Sequence, residues 1–160
     1  MKFAHLADTH IRNLKYHRDY RVVFEKIYEI LRKEKVDYII HCGDLAHTKT
    51  NLSPEYFDLA GDFLSNLADI APTYIILGNH DGNLKNASRQ DAVTPIISAL
   101  KKPDLTLLKD SGEVMLDDKH TINVLSVFDR DNWEKPSDKD KINIALYHGV
   151  VAGAKTDIGW

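Results

Sequence analysis

The sequence predicts an α/β sandwich, two β-sheets flanked by helices. Two patterns carry that expectation. The first half alternates short apolar runs with longer stretches whose apolar residues recur at helical spacing, giving strand–helix–strand–helix–strand. The second half breaks into short strand-like pieces separated by turn or charged segments, as hairpins of a second sheet would. A chain of 160 residues suits one domain over 1–160, and its 43% hydrophobic content supplies one core.

Residues 2–8 read as a buried strand that ends on the carboxylate of Asp8. From Tyr16 to Glu34 the apolar positions Tyr20, Val23, Phe24, Ile27, Ile30 and Leu31 fall on one side of an amphipathic helix. Asp37–Cys42 is a second strand, closed by Gly43-Asp44. Ser53-Pro54 then places an N-cap residue before proline at the first helical position, and Phe57, Ala60, Phe63, Leu64 and Leu67 continue that helix. Thr73–Leu77 is a third strand, ending at Gly78-Asn79-His80-Asp81. This order implies right-handed crossovers and a parallel sheet, so functional residues belong in the loops at the carboxyl ends of the strands. A short helix is expected over Gln90–Leu100, strands at 105–109, 112–116, 121–128 and 142–148, and an exposed polar loop at 129–141. Residues 150–160 read as loop. His5, His41 and Cys42 lie inside strands and are expected to pack in the core, with His17 and His120 at the surface.

The formal net charge of −3 argues against a domain that grips nucleic acid through an overall positive field. It does not exclude a nucleic-acid enzyme, because bound divalent cations reverse the local charge at a site. No apolar run approaches membrane-spanning length, and the start lacks the apolar core of a secretory signal. With Cys42 the single cysteine, a reducing, cytoplasmic setting is expected.

Three successive strands end on metal-ligand types: Asp8-Thr9-His10, Gly43-Asp44 and Gly78-Asn79-His80-Asp81. A fourth ends at His148-Gly149. Carboxylate, imidazole and amide oxygen together suit borderline-hard divalent ions such as manganese, iron or zinc. Taken singly, each motif is common. Their ordered recurrence at strand ends, which a parallel sheet gathers on one edge, is what points to a shared site.

These blocks resemble the calcineurin-like metallophosphoesterase superfamily, whose pattern is D-x-H, G-D, G-N-H-[DE], a later H and a closing G-H-x-H. Within it, Gly43-Asp44-Leu45-Ala46-His47 and the stretch from His148 to Ala154, of form H-G-x-x-x-G-A, resemble the SbcD-type double-strand-break-repair nucleases. The resemblance implies a calcineurin-like sandwich and two divalent ions, Mn²⁺ foremost. By the same resemblance Asp8 and His10 hold the first ion, Asp44 bridges both, and Asn79 and His148 hold the second. His80 would stand beside the scissile phosphate as transition-state stabiliser or acid, and His47 would position the strand or leaving group. Implied partners are DNA and, for the full-length protein, an SbcC-type ATPase. The family commonly dimerises through its early helices, so a homodimer is also implied. The closing G-H-x-H does not occur in the chain, which is therefore expected to be a fragment of a longer nuclease, without the capping domain or the ATPase-docking segment. Three protein ligands per ion imply lowered metal affinity and weakened turnover.

Weaker signals surround these motifs. Arg12, Lys15, Tyr16 and Arg18 follow the first motif directly and suit phosphate contact and base stacking. The alternative is a solvated helix start with Tyr20 in the core. Lys85 and Arg89 are better read as a charged loop, and Asp81 as orienting its turn or a neighbouring histidine. Two other functions stay open: a general metallophosphoesterase acting on nucleotides or phosphoproteins, and a non-catalytic interaction module on the same fold.

Overall fold

A computed structural model describes residues 1–153. Ala154, the last residue of the H-G-x-x-x-G-A stretch, and most of the expected loop over 150–160 lie outside the described residues.

Four strands form a parallel sheet in chain order: β1 (Phe3–Leu6), β2 (Tyr38–Cys42), β3 (Thr73–Ile76) and β4 (Leu105–Leu108). Between them run α1 (His17–Glu34), α2 (Pro54–Ile70) and α3 (Thr94–Leu100). Alternate residues of each strand face opposite sides of a sheet. Ile39 and Ile75 accordingly join Phe24, Tyr28, Phe63 and Leu64 of the helices in one core, where the Phe24 and Phe63 rings stack with centroids 4.0 Å apart. Their neighbours Ile40, Cys42 and Ile76 face the other way and pack on Ile122, Val124 and Leu146 of the second sheet. Being covered on both faces is why Tyr38–Cys42 reads as an unbroken apolar run rather than an alternating one.

The second sheet has three strands, β5 (Gly112–Met115), β6 (His120–Leu125) and β7 (Ile142–Tyr147). Here the sequence expectation needs correcting in two ways. The strand expected at 105–109 does not join this sheet. It is β4, paired in parallel with β3, because α3 acts as a crossover and returns the chain beside β3. Only β5 and β6 form a hairpin, its turn held by the Asp117 carboxylate accepting from the Lys119 and His120 amides. β7 runs parallel to β6, since residues 126–141 cross back over the sheet. That connection is more than a polar loop: it contains a 3₁₀ turn at Arg130–Asn132, and the Trp133 indole donates to the Ser126 carbonyl and meets Tyr147 edge-on at 5.4 Å.

Ser53 caps α2 as expected, its Oγ accepting from the Tyr56 amide at 3.2 Å. α3 begins at Thr94 rather than Gln90, because the buried Asp91 carboxylate accepts from the Val93 and Thr94 amides and so sets the helix start. Lys109 pairs with the same carboxylate at 3.0 Å. The expected strands 2–8 and 121–128 are shorter in the structure, ending at Leu6 and Leu125 where their chains turn. His5 is exposed on β1, contrary to its expected burial, since it sits on the edge strand of the sheet. His17 and His120 are half-buried, one ring bonded to the Arg12 carbonyl and the other to Asp117. No helix of the described residues is long and apolar enough to cross a membrane.

Candidate metal centre

The carboxyl ends of β1, β2, β3 and β7 converge. Beyond β1 and β2 the chain keeps a strand-like ladder: the amides of Asp8, His10 and Ile11 donate to the carbonyls of Gly43, Asp44 and Leu45 at 2.8–3.0 Å. This ladder carries Asp8 and His10 directly alongside Asp44. All three adopt left-handed backbone conformations, with φ of 54°, 48° and 55°. Asp and His tolerate that region better than most residues, yet each position costs about 1 kcal/mol or more and persists only where its surroundings impose it. Half of the six left-handed non-glycine residues in the described chain are thus candidate ligands, so backbone strain is concentrated here. The loops after β2 and β3 touch at Gly43 and Gly78. A Cβ on Gly78 would collide with the Asp44 carboxylate, and one on Gly43, at φ 87°, would lie 2.7 Å from the Gly78 nitrogen. Only glycine allows this approach.

Asp44 is the hub. It is 3% exposed, and one carboxylate oxygen, Oδ1, accepts from the His80 amide at 2.8 Å. Its other oxygen, Oδ2, lies 3.2 Å from His148 Nε2 and 3.6 Å from His10 Nε2. Two ligand groups share it: His10, Asp44 and His80 on one side, Asp8, Asp44 and His148 on the other, the donor atoms of each lying within 4.8 Å of one another. Asn79 Oδ1 adds a further oxygen 3.2 Å from His148 Nε2. On the open side, a cleft of about 430 Å³ is lined by Asp8, Asp44, Asn79, Tyr147 and His148.

The hydrogen-bond partners fix the protonation pattern of the cluster. The His148 Nδ1 lies 2.7 Å from the Cys42 carbonyl, which can only accept, so Nδ1 carries the proton. Nε2 is left facing a carboxylate oxygen that also can only accept. A proton or a cation has to stand between them. In the metal-free chain it is a proton: the hydrogen bond with Asp44 outweighs burial and raises His148 to about 9. Burial alone would raise the Asp44 carboxyl, but the His148 and His80 contacts outweigh it and hold it below the usual range. A histidine fixed through Nδ1–H on a backbone carbonyl with Nε2 turned to carboxylates is the arrangement metal-ligating histidines adopt. His10 Nε2 is likewise 3.6 Å from both Asp8 and Asp44, too long for a hydrogen bond, while its Nδ1 is buried without a partner. The donor set fits divalent metal.

Around the ligands, His80 Nδ1 bonds the His47 carbonyl at 2.8 Å, and the His47 and His80 rings stack 6.1 Å apart. The His47 ring also stands 5.7 Å from His10, and burial together with the nearby Arg12 charge lowers its pKa. Arg12 lies over the Tyr16 ring at 5.9 Å, whereas Lys15, Tyr16 and Arg18 project into solvent at the entry to α1.

Several supporting residues were not legible in the sequence. The Tyr20 hydroxyl, expected only in the core, donates to the His10 carbonyl at 2.7 Å. Lys49 reaches the Asn79 carbonyl at 2.9 Å, and His41 meets Thr9 Oγ1 at 2.7 Å. Each contact joins residues distant in sequence and leaves no periodic trace. Asp81 is the exception, since its place in Gly-Asn-His-Asp marked it for an orienting role. It is fully buried, and its carboxylate accepts from the amides of Asp44, Ala46 and Gly78 at 2.8–2.9 Å. It therefore ties the loop after β2 to the loop after β3.

With this geometry in view, the family can be assigned. A profile described as calcineurin-like phosphoesterase matches residues 1–159. The chain belongs to the calcineurin-like phosphoesterase family. This is a family of phosphoesterases that typically depends on divalent metal. Among curated relatives, this phosphoesterase chain is 42% identical over 172 residues to the uncharacterized protein R555 of Acanthamoeba polyphaga mimivirus, covering 98% of the chain but 12% of R555. Among solved structures it is similar to the nuclease MPE of Pseudomonas putida, at 17% identity and a TM-score of 0.45, covering 88% of the chain and 57% of that protein. The chain thus spans a small part of the mimivirus relative's length.

His41 gives this phosphoesterase a defined acid sensitivity. Burial, then the nearby His148 charge, lowers its pKa from 6.5 to about 4. Between those values the unfolded chain binds a proton that the folded one refuses. The corresponding stability is present above pH 6.5 and lost as pH falls toward 4, amounting to about 3 kcal/mol. Urea unfolding of the metal-free chain at about pH 7 and about pH 4.5 reads this loss. His41→Leu is expected to shrink the difference between the two; an unaltered difference would show that other groups cause it.

Proposed function

We propose that this chain is the catalytic part of an SbcD-like nuclease that hydrolyses DNA phosphodiesters with two Mn²⁺ ions. The observation that carries the reading is the Asp44 carboxylate shared between two ligand groups. In this reading Asp8, His10 and Asp44 would hold one ion and Asp44, Asn79 and His148 the other, supported by the 3.6 Å Asp8–His10 and 3.2 Å Asn79–His148 approaches, although the two compact groups set Asp8 with His148 and His80 with His10. When bound, the two ions supply positive charge that polarises the phosphoryl group and acidifies water at the site.

The chain's own residues do the rest. Asp81 and the Gly43–Gly78 contact fix the shared carboxylate, so it need not reorganise during the reaction. The His80 ring is fixed through Nδ1 on the His47 carbonyl, which leaves Nε2 to hand a proton to the leaving oxygen. His47, its ring 5.7 Å from His10 and near the Arg12 charge, would position the strand or leaving group in this reading. Arg12, Lys15, Tyr16 and Arg18, at the entry to α1, would supply cationic and aromatic contacts suited to a polyanion whose bases stack. A homodimer and an SbcC-type ATPase partner belong to the same reading.

The test is a comparison of labelled duplex DNA, labelled single-stranded DNA and bis(p-nitrophenyl) phosphate at millimolar Mn²⁺. Cleavage of either DNA, lost in His80→Ala, is the expected result, and the fragment pattern then separates exo- from endonuclease action. Cleavage of the small diester with both DNAs intact would overturn the nuclease reading in favour of a general phosphoesterase. No specific Mn²⁺ binding and no hydrolysis of any substrate would favour the interaction module.

A further inference from the structure

His41 is fully buried in β2, between β1 and β3, with its ring edge-on to Phe63 at 6.4 Å. Its Nε2 lies 2.7 Å from Thr9 Oγ1, while its Nδ1 is buried and has no partner among the described residues. A neutral imidazole carries one N–H, and burial keeps this ring neutral. If the proton were on Nδ1, a buried donor would be stranded. With the proton on Nε2, Thr9 Oγ1 accepts it and only a lone pair is left without a partner, which is the less costly arrangement.

Thr9 is flanked by Asp8 and His10, both left-handed. The backbone ladder fixes the amides on either side of it, but the described contacts hold Thr9 itself through its hydroxyl. We propose that His41 is a positioning residue which, by donating to Thr9 Oγ1, sets the Asp8-Thr9-His10 turn and hence the placement of both ligands on it. This rests on the two-ion reading given above. The strained turn is presented by a rigid, buried ring rather than by a flexible side chain, which is what a ligand pair on a loop requires.

The test uses the full chain with Thr9→Val, His41→Leu and His41→Gln, the last keeping an N–H near the Nε2 position. Mn²⁺ titration of the metal-free proteins is expected to show about tenfold weaker binding at one ion for Thr9→Val and His41→Leu. His41→Gln should recover to within about threefold, and the double variant should bind no worse than His41→Leu alone. Melting of the metal-free chain should move little in Thr9→Val, separating positioning from folding. Imidazole nitrogen signals by NMR should place the His41 proton on Nε2. Unchanged Mn²⁺ binding in Thr9→Val, or a proton on Nδ1, overturns the proposal. If His41→Leu does not fold, Thr9→Val and His41→Gln decide. An unchanged chain that binds no Mn²⁺ overturns the two-ion reading instead. The turn-setting role is then decided by whether Thr9→Val displaces the Asp8 and His10 amide signals.

Discussion

Asp44→Ala is expected to lower phosphodiester hydrolysis by roughly 10³-fold or more while leaving the chain folded. Asp44 is the residue common to both ligand groups, so its removal damages both ion sites at once. It also strands the His80 amide and takes away the partner that holds the His148 proton. The expected effect is therefore larger than for Asp8→Ala or His148→Ala, each of which disturbs one group. Activity with bis(p-nitrophenyl) phosphate, measured beside a circular dichroism spectrum, checks this. A folded Asp44→Ala protein within tenfold of the unchanged chain would contradict it.

Asp81→Ala is expected to lower stability by about 3 kcal/mol and to weaken metal binding at least tenfold. Its carboxylate is the acceptor for three buried amides, and a methyl group leaves all three without one. Part of that loss is offset. Burial, against those same amides, raises Asp81 to about 6, so the charged group is itself held at a cost that alanine relieves. The amides win because all three, on the buried loops after β2 and β3, lose their acceptor together. Denaturant unfolding and metal titration of one preparation read both effects. Full stability with full metal binding would show that the loops hold Asp44 without Asp81.

Much of the fold was legible because the first half follows simple rules. Apolar runs and helical spacing located β1 to β3 and the first two helices, and the Ser53-Pro54 start of α2 was read to the residue. The misread elements are those whose partner is decided by a crossover. Leu105–Leu108 has the same apolar character whether it pairs with β3 or β5, and the intervening helix decides it. β7 likewise turns parallel because residues 126–141 cross the sheet, and that polar stretch gives no local sign of doing so. At the site, ligand types could be read from motifs at strand ends. Apart from Asp81, their supports could not. Tyr20, Lys49 and the Thr9–His41 pair act through contacts between different elements and loops, which exist only once the chain has folded. His5 and His41 show the limit plainly: both lie in apolar strands, but one is on the sheet edge and exposed, the other central and fully buried.

The most direct measurement is calorimetric titration of the metal-free chain with Mn²⁺, alongside Asp44→Ala. The account predicts two ions per unchanged chain and at most one, bound more weakly, in Asp44→Ala. An unchanged chain that takes up no ion at millimolar Mn²⁺, or an Asp44→Ala chain that binds two ions as tightly as the unchanged one, would contradict it.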